Sequence, residues 1–239
     1  MSVEDKYKKY TQVEHVLARP GMYIGELKTI KSEQWVLEDD IIVNREVKWN
    51  PGIYKIFDEI ITNASDECQR NTSVKNIYVN IDAENNYISV MNDGGGIPIQ
   101  IHKEHQIYVP QLIFGNLLSS SNYDDSKKRT TGGLNGLGAK LTNIYSIEFT
   151  IETVSSGQKY TQTFRNNMSI IEEPVIEKAK AREKEYCKIT FKPDHSRFGT
   201  KSLKDDFTLD ILKKRVFDVS AITPKTVSVP TQNIFLPNH

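Results

Sequence analysis

Pro51-Gly-Ile-Tyr-Lys-Ile-Phe-Asp-Glu-Ile-Ile-Thr-Asn-Ala-Ser-Asp-Glu-Cys68 reads as one helix carrying two separate jobs. At about 100° per residue, Ile53, Ile56, Phe57, Ile60, Ile61, Ala64 and Cys68 fall on one broad apolar face. Glu59, Asn63, Asp66 and Arg70 share a neighbouring polar strip, because steps of three and four residues return to the same side of a helix. A strip that only faced water would favour Lys and Glu, which are good helix formers. Here it holds Asn, Thr, Ser and Asp. Two readings stay open on this segment alone. One is the wet face of an ordinary amphipathic helix. The other is a carboxylate and an amide oxygen, one turn apart, aimed at a shared target such as a hydrated metal ion.

On the amino-terminal side, residues 1–10 are polar, with Tyr7 and Tyr10 set among Lys and Glu, so they have no core of their own. Thr11 can cap a short helix with Glu14 at the capping-box position. That helix ends before Arg19-Pro-Gly-Met-Tyr-Ile-Gly25, where Pro20-Gly21 signals a turn. Trp35-Val-Leu and Ile41-Ile-Val lie in a β-type stretch, 34–48, expected to form strands or an edge hairpin.

On the carboxy-terminal side, residues 74–81 and 87–91 read as a hairpin around the turn-rich Asp82–Asn86. Val109, Leu112, Ile113 and Leu117 have helical spacing. The long polar run Ser119–Thr131 is either a lid or a surface loop. A Gly-rich entry then leads into another helix. Strands are expected at 147–154, 158–165, 168–173 and 186–192, with a charged connection at 178–185, a last helix near 206–218 and a β-type tail at 225–229. Strands interleaved with helices predict an α+β two-layer sandwich, one mixed β-sheet with helices on one face.

The 239 residues suffice for a proper core, and Lys+Arg and Asp+Glu both total 31. A neutral chain lacks the overall footprint of a protein whose main task is gripping nucleic acid. Only Cys68 and Cys187 occur, in no metal-type pairing, which suits a reducing compartment. No apolar run is long enough to span a bilayer and no signal-peptide pattern follows Met1, so an intracellular, soluble chain with no membrane partner is expected.

Two glycine stretches suggest chemistry. Gly132-Gly-Leu-Asn-Gly-Leu-Gly-Ala-Lys140 looks like a phosphate cradle, since backbone N–H groups at a helix start carry partial positive charge and glycine lets them approach an anion. Ala139-Lys140 after Gly138 excludes a Walker P-loop, and the spacing is not that of a dinucleotide fold. A flexible Gly-rich loop remains the plain alternative. Asn92-Asp-Gly-Gly-Gly-Ile-Pro98, directly after a strand, is either a tight turn or a polar strand end that reads a purine edge.

Taken in order, Asp58-Glu-Ile-Ile-Thr-Asn-Ala64, Asn92–Pro98 and Gly132–Lys140 resemble the three nucleotide boxes of the GHKL (Bergerat) ATPase superfamily. That group spans gyrase-type topoisomerases, ninety-kilodalton heat-shock chaperones, sensor histidine kinases and MutL mismatch-repair proteins. Gln12–Gly25, Tyr54–Glu59, Tyr108-Val-Pro110, Leu112–Gly115 and Ser120–Asp125 narrow the resemblance to the N-terminal ATPase region of eukaryotic-type (type IIA) DNA topoisomerases.

The resemblance implies ATP and Mg²⁺ as ligands. It makes Glu59 the general base that polarises the attacking water and Asn63 the protein ligand of Mg²⁺, which needs only one or two protein oxygens. Asn92 would read the adenine, although relatives often carry Asp there. Asn135, Gly136, Leu137, Gly138 and Lys140 would wrap the triphosphate. Ser120, Ser121 and Asn122 would touch ribose and phosphate. Tyr7 aligns with an arm residue that crosses to the partner subunit's nucleotide, which implies a nucleotide-dependent homodimer. The chain departs from the pattern at Leu137, where relatives often have Tyr, and at Gly95, where a basic residue is usual.

The expected division is residues 1–20 as arm and short helix, 21–222 as ATPase domain, and 223–239 as the start of a link to a transducer domain. The family's Gln-Thr-Lys loop, whose lysine meets the terminal phosphate, has no counterpart here, and neither does the DNA-cleaving tyrosine domain. Such a fragment is expected to bind ATP with little or no turnover. The implied parent is an ATP-hydrolysing type II topoisomerase, nuclear or in a viral replication compartment, with DNA as partner of the full-length enzyme and weakly or not at all of this fragment. The alternatives are a GHKL chaperone or MutL-like mismatch-repair ATPase, and a histidine-kinase-like phosphotransferase.

Overall fold

The computed structural model describes residues 10–39, 41–117 and 136–223. The central element is helix α3, Pro51–Arg70, and all seven residues of its expected apolar face are buried. Its start is fixed by Asn50, whose side-chain oxygen accepts from Ile53 N at 3.0 Å while Pro51 occupies the first turn. Asn50 Nδ2 donates to Leu27 O at 2.7 Å and Phe198 O at 3.0 Å, and its backbone N–H donates to Thr208 Oγ1 at 2.9 Å. One fully buried amide thereby ties three distant segments to the start of α3. Gly52 follows because a Cβ there would meet the Phe198 ring at 2.7 Å.

Two short helices precede it, α1 (Gln12–Ala18) and α2 (Pro20–Tyr23). The capping box at α1 is complete, Glu14 N donating to Thr11 Oγ1 and Thr11 N to Glu14 Oε2. Pro20-Gly21 enters one helical turn rather than an open turn, since proline is well suited to a first helical position. Val16 is buried in the main core and its carbonyl accepts from Tyr145 OH at 2.8 Å, so the core begins before residue 21. Tyr7 lies outside the described residues.

Strands β1 (Ile30–Glu38) and β2 (Ile41–Trp49) form an antiparallel hairpin. It is a separate two-stranded sheet, packed through Val36 and Val47 onto Ile211 of α7 (Thr208–Ile222).

The main sheet holds seven strands: β3 (Ile77–Asp82), β4 (Tyr87–Asp93), β5 (Ser146–Ser155), β6 (Gln158–Arg165), β7 (Ile170–Ile171), β8 (Val175–Lys178) and β9 (Tyr186–Pro193). Their order is β3-β4-β9-β5-β6, with β7 and β8 both on the outer edge of β6. The α+β sandwich is as expected, but the sheet is not mixed at any described pairing. The connection from β4 to β5 does run through helices α4 (Val109–Gly115) and α5 (Gly138–Ile144), which brings those strands parallel. β9 then inserts between them and runs antiparallel to both.

Inward positions alternate along each strand, as the period of two demands. Val79 and Ile81, Ile88 and Val90, Phe149 and Ile151, Tyr160 and Phe164, and Ile189 and Phe191 are all buried against the helical layer. The β5–β6 turn, Ser156-Gly157, has positive φ at both residues, the geometry a two-residue hairpin favours. Three elements escape the sequence reading: the helical turn α2, the edge strand β8 and the one-turn helix α6, His195–Phe198. The expected tail at 225–229 lies outside the described residues. No helix among the described residues is long and apolar enough to cross a membrane.

Candidate active site

Where α3, the end of β4 and the start of α5 converge, they enclose one side of a cavity of about 1230 Å³. That is above the roughly 300–1,000 Å³ of ordinary small-ligand sites. Helix α3 contributes Lys55, Glu59, Asn63, Glu67 and Arg70, the polar strip. It differs from the expected strip in that Lys55 joins it and Glu67, rather than the buried Asp66, faces the cavity.

Glu59 is held on two sides. Lys55, one turn earlier, makes an ion pair with its Oε1. Gly138, the first residue of α5, approaches Oε2 so closely that a Cβ there would overlap the carboxylate. Asn63 lies one turn beyond Glu59 on the same wall. Its neighbour Asp58 faces elsewhere. Arg215 Nε on α7 donates to Asp58 Oδ1 at 2.6 Å, so this carboxylate fastens α7 to α3.

Asn92 continues the inward row of β4 and is only 6% exposed. Its Nδ2 is buried without a hydrogen-bond partner among the described residues, an unusual state for a buried amide. It lines the cavity, so a ligand acceptor there would satisfy it. The residues after it form the turn that the local sequence also allowed. Asp93 Oδ1 accepts from Lys75 N and Asn76 N, and Oδ2 from Asn76 Nδ2. Burial pushes the Asp93 carboxyl upward, but these hydrogen bonds outweigh it and leave the group below its ordinary value. Gly94 has φ +81°, and a Cβ would overlap the Ser73 carbonyl. Turn and cavity wall are therefore the same stretch: Asp93 and Gly94 shape it, and Asn92 faces the cavity.

Helix α5 begins at the cavity with Gly136, Leu137 and Gly138 on its wall and no side-chain cap on its first turn. From Ala139 to Ile144 every residue is buried. Thr142 Oγ1 donates to Ile56 O at 2.8 Å, and Asn143 Nδ2 to Phe114 O at 3.1 Å. Lys140 belongs to this enclosed run. It is 1% exposed, absent from the described cavity wall, and burial lowers its ammonium to about 8.

Glu59, Asn63, Asn92, Gly136, Leu137 and Gly138 are brought together around one space. Ser120, Ser121, Asn122 and Asn135 lie outside the described residues. Sequence reasoning missed Lys55, Glu67 and Cys187 on the wall. The first two carry a helical-period signal, four residues before Glu59 and four after Asn63. Cys187 carries none, because its place depends on β9 pairing beside β4. The donor set fits a purine nucleotide with a hydrated cation: an orphaned amide at one end, a glycine-flanked helix start at the other, and the neutral oxygen of Asn63 beside a carboxylate.

Residues 50–196 match the family model described as histidine kinase-, DNA gyrase B- and HSP90-like ATPase. The chain is 53% identical over 219 residues to DNA topoisomerase 2 of Meyerozyma guilliermondii, an alignment covering 90% of this chain and 16% of that protein. It is similar in structure to the ATPase region of Saccharomyces cerevisiae topoisomerase II, with TM-score 0.91 and 48% identity over 95% of this chain and 61% of that one. The ATPase and transducer domains of DNA topoisomerase II from Balamuthia mandrillaris give TM-score 0.92 and 47% identity, covering 96% and 60%. The chain spans about one sixth of the length of the curated relatives it matches.

Proposed function

Because this chain belongs to the histidine kinase-, DNA gyrase B- and HSP90-like ATPase family, we propose that its cavity binds Mg-ATP and that it serves as the ATPase region of a type II DNA topoisomerase. The observation that carries the ligand assignment is the buried Nδ2 of Asn92, unpartnered among the described residues, in the same cavity as Glu59 and Asn63. Similarity to topoisomerase ATPase regions along nearly the whole chain supports the choice of parent enzyme.

In this reading the purine edge sits at Asn92 and the phosphates reach the start of α5. There the backbone N–H groups of Gly136, Leu137 and Gly138 supply partial positive charge without side-chain bulk. Asn135, Lys140, Ser120, Ser121 and Asn122 are assigned beside them from the resemblance, and Tyr7 to the nucleotide of the partner subunit. Mg²⁺, held on the protein side by Asn63, would neutralise charge on the phosphates. Glu59 accepts a proton from the attacking water, with Lys55 and Gly138 fixing its carboxylate.

Nucleotide binding would close a homodimer through the N-terminal arm, and hydrolysis would reset it to drive strand passage through DNA in the full-length enzyme. Residues 1–20 are proposed as arm and short helix, 21–222 as the ATPase domain and 223–239 as the link onward. By itself the domain should turn over slowly, and the parent would act in a nucleus or a viral replication compartment. Glu59→Gln tests the assignment. Calorimetry should show unchanged nucleotide affinity, while turnover of the full-length enzyme falls by roughly 10²–10⁴-fold; undiminished turnover refutes Glu59 as the base.

A further inference from the structure

Cys187 lines the cavity, and the proposed function leaves its chemistry unused. It is the direct partner of Asn92 in the β4–β9 ladder, so the two side chains leave the sheet on the same face. Both line the cavity, with Val90 and Ile189 beside them as the apolar floor. Asn92 carries the buried amide that lacks a partner among the described residues, which marks this end as a ligand subsite independently of the cysteine. The second thiol is placed quite differently. Cys68 is buried on the core face of α3, donates to Ala64 O at 3.2 Å and is absent from the described cavity wall.

We infer that Cys187 is a covalent modification site at the base end of the nucleotide cavity, open to purine nucleotides that carry an electrophile on the six-membered ring. The inference rests on the purine-nucleotide reading of the cavity. The step is a substitution: the Cys187 sulfur forms a bond to the electrophilic carbon, chloride leaves, and the thiol proton passes to solvent. No oxidant or reductant is involved.

Burial, with the negative charge of Glu67 second, pushes the Cys187 thiol up to about 12. Its thiolate is therefore scarce at neutral pH, and dissolved alkylating agents should find it sluggish. A ligand seated on Asn92 changes this by proximity, since holding two groups together is equivalent to effective concentrations of roughly 10⁵–10⁸ M in favourable cases. Selectivity then comes from binding rather than from an activated sulfur.

The probe is N6-chloroacetyl-ATP with Mg²⁺, incubated with the protein at pH 7.5, 8.5 and 9.5 and read by intact mass and peptide mapping. Expected is a single adduct on Cys187, of mass protein plus probe minus HCl, blocked by excess ATP. Labelling should accelerate about tenfold per pH unit, as for a thiol far below its pKa. Cys68→Ser should keep the adduct and Cys187→Ser should lose it. Competition against a fluorescent ATP analogue, run in Cys187→Ser, reads probe binding separately. A probe that competes but leaves Cys187 unmodified at pH 9.5, or marks another residue, overturns the inference and spares the nucleotide site. A cavity that binds neither probe nor ATP overturns both.

Discussion

Gly138 and the Glu59 carboxylate are in such close apposition that no side chain fits between them. The start of α5 and the middle of α3 meet at this point, so the glycine sets where the proposed general base can stand. Gly138→Ala should displace either the carboxylate or the helix start. A displacement of about 1 Å at a reacting group can cost roughly a hundredfold in rate. Turnover of the full-length enzyme is expected to fall on that scale, while the melting temperature of this domain moves by only a few degrees, about 1 kcal/mol. Wild-type turnover in Gly138→Ala would contradict the apposition.

Asn92 presents a buried donor that nothing among the described residues satisfies. Replacing such a group by an apolar one of similar size removes a desolvation cost of about 1–3 kcal/mol. Asn92→Leu should therefore raise the melting temperature of the ligand-free domain while removing nucleotide binding. Stability gained and function lost in one variant is an outcome that a purely structural asparagine would not give.

Asp93, next along the chain, has the opposite role. Its folded-state pKa lies below the ordinary value of 3.8, so its contribution to stability is present above that value and fades as pH falls through the folded pKa. Urea unfolding of wild type and Asp93→Asn should differ by a constant amount from about pH 7 to pH 5, with the gap closing below about pH 4. A gap that is the same at pH 7 and pH 3 would show that the carboxylate charge is not what pins the turn.

Much of this was legible from one helix. The apolar face of α3 follows from spacing alone, and Glu59 and Asn63 share a strip because they are four residues apart. Asn92 was legible as a polar residue at a strand end. Long-range pairings were not. Nothing local says that β9 lies between β4 and β5, which is why the expected mixed sheet is antiparallel and why Cys187 reaches the cavity unannounced. The bond from Arg215 to Asp58 is equally silent in sequence, the partners being 157 residues apart.

The most direct test is calorimetric titration of this chain with a non-hydrolysable ATP analogue, with and without Mg²⁺, on wild type and Asn92→Leu. The account predicts one site per chain, tighter with Mg²⁺ and lost in the variant. No heat from the wild type, or binding that Asn92→Leu leaves intact, would contradict it.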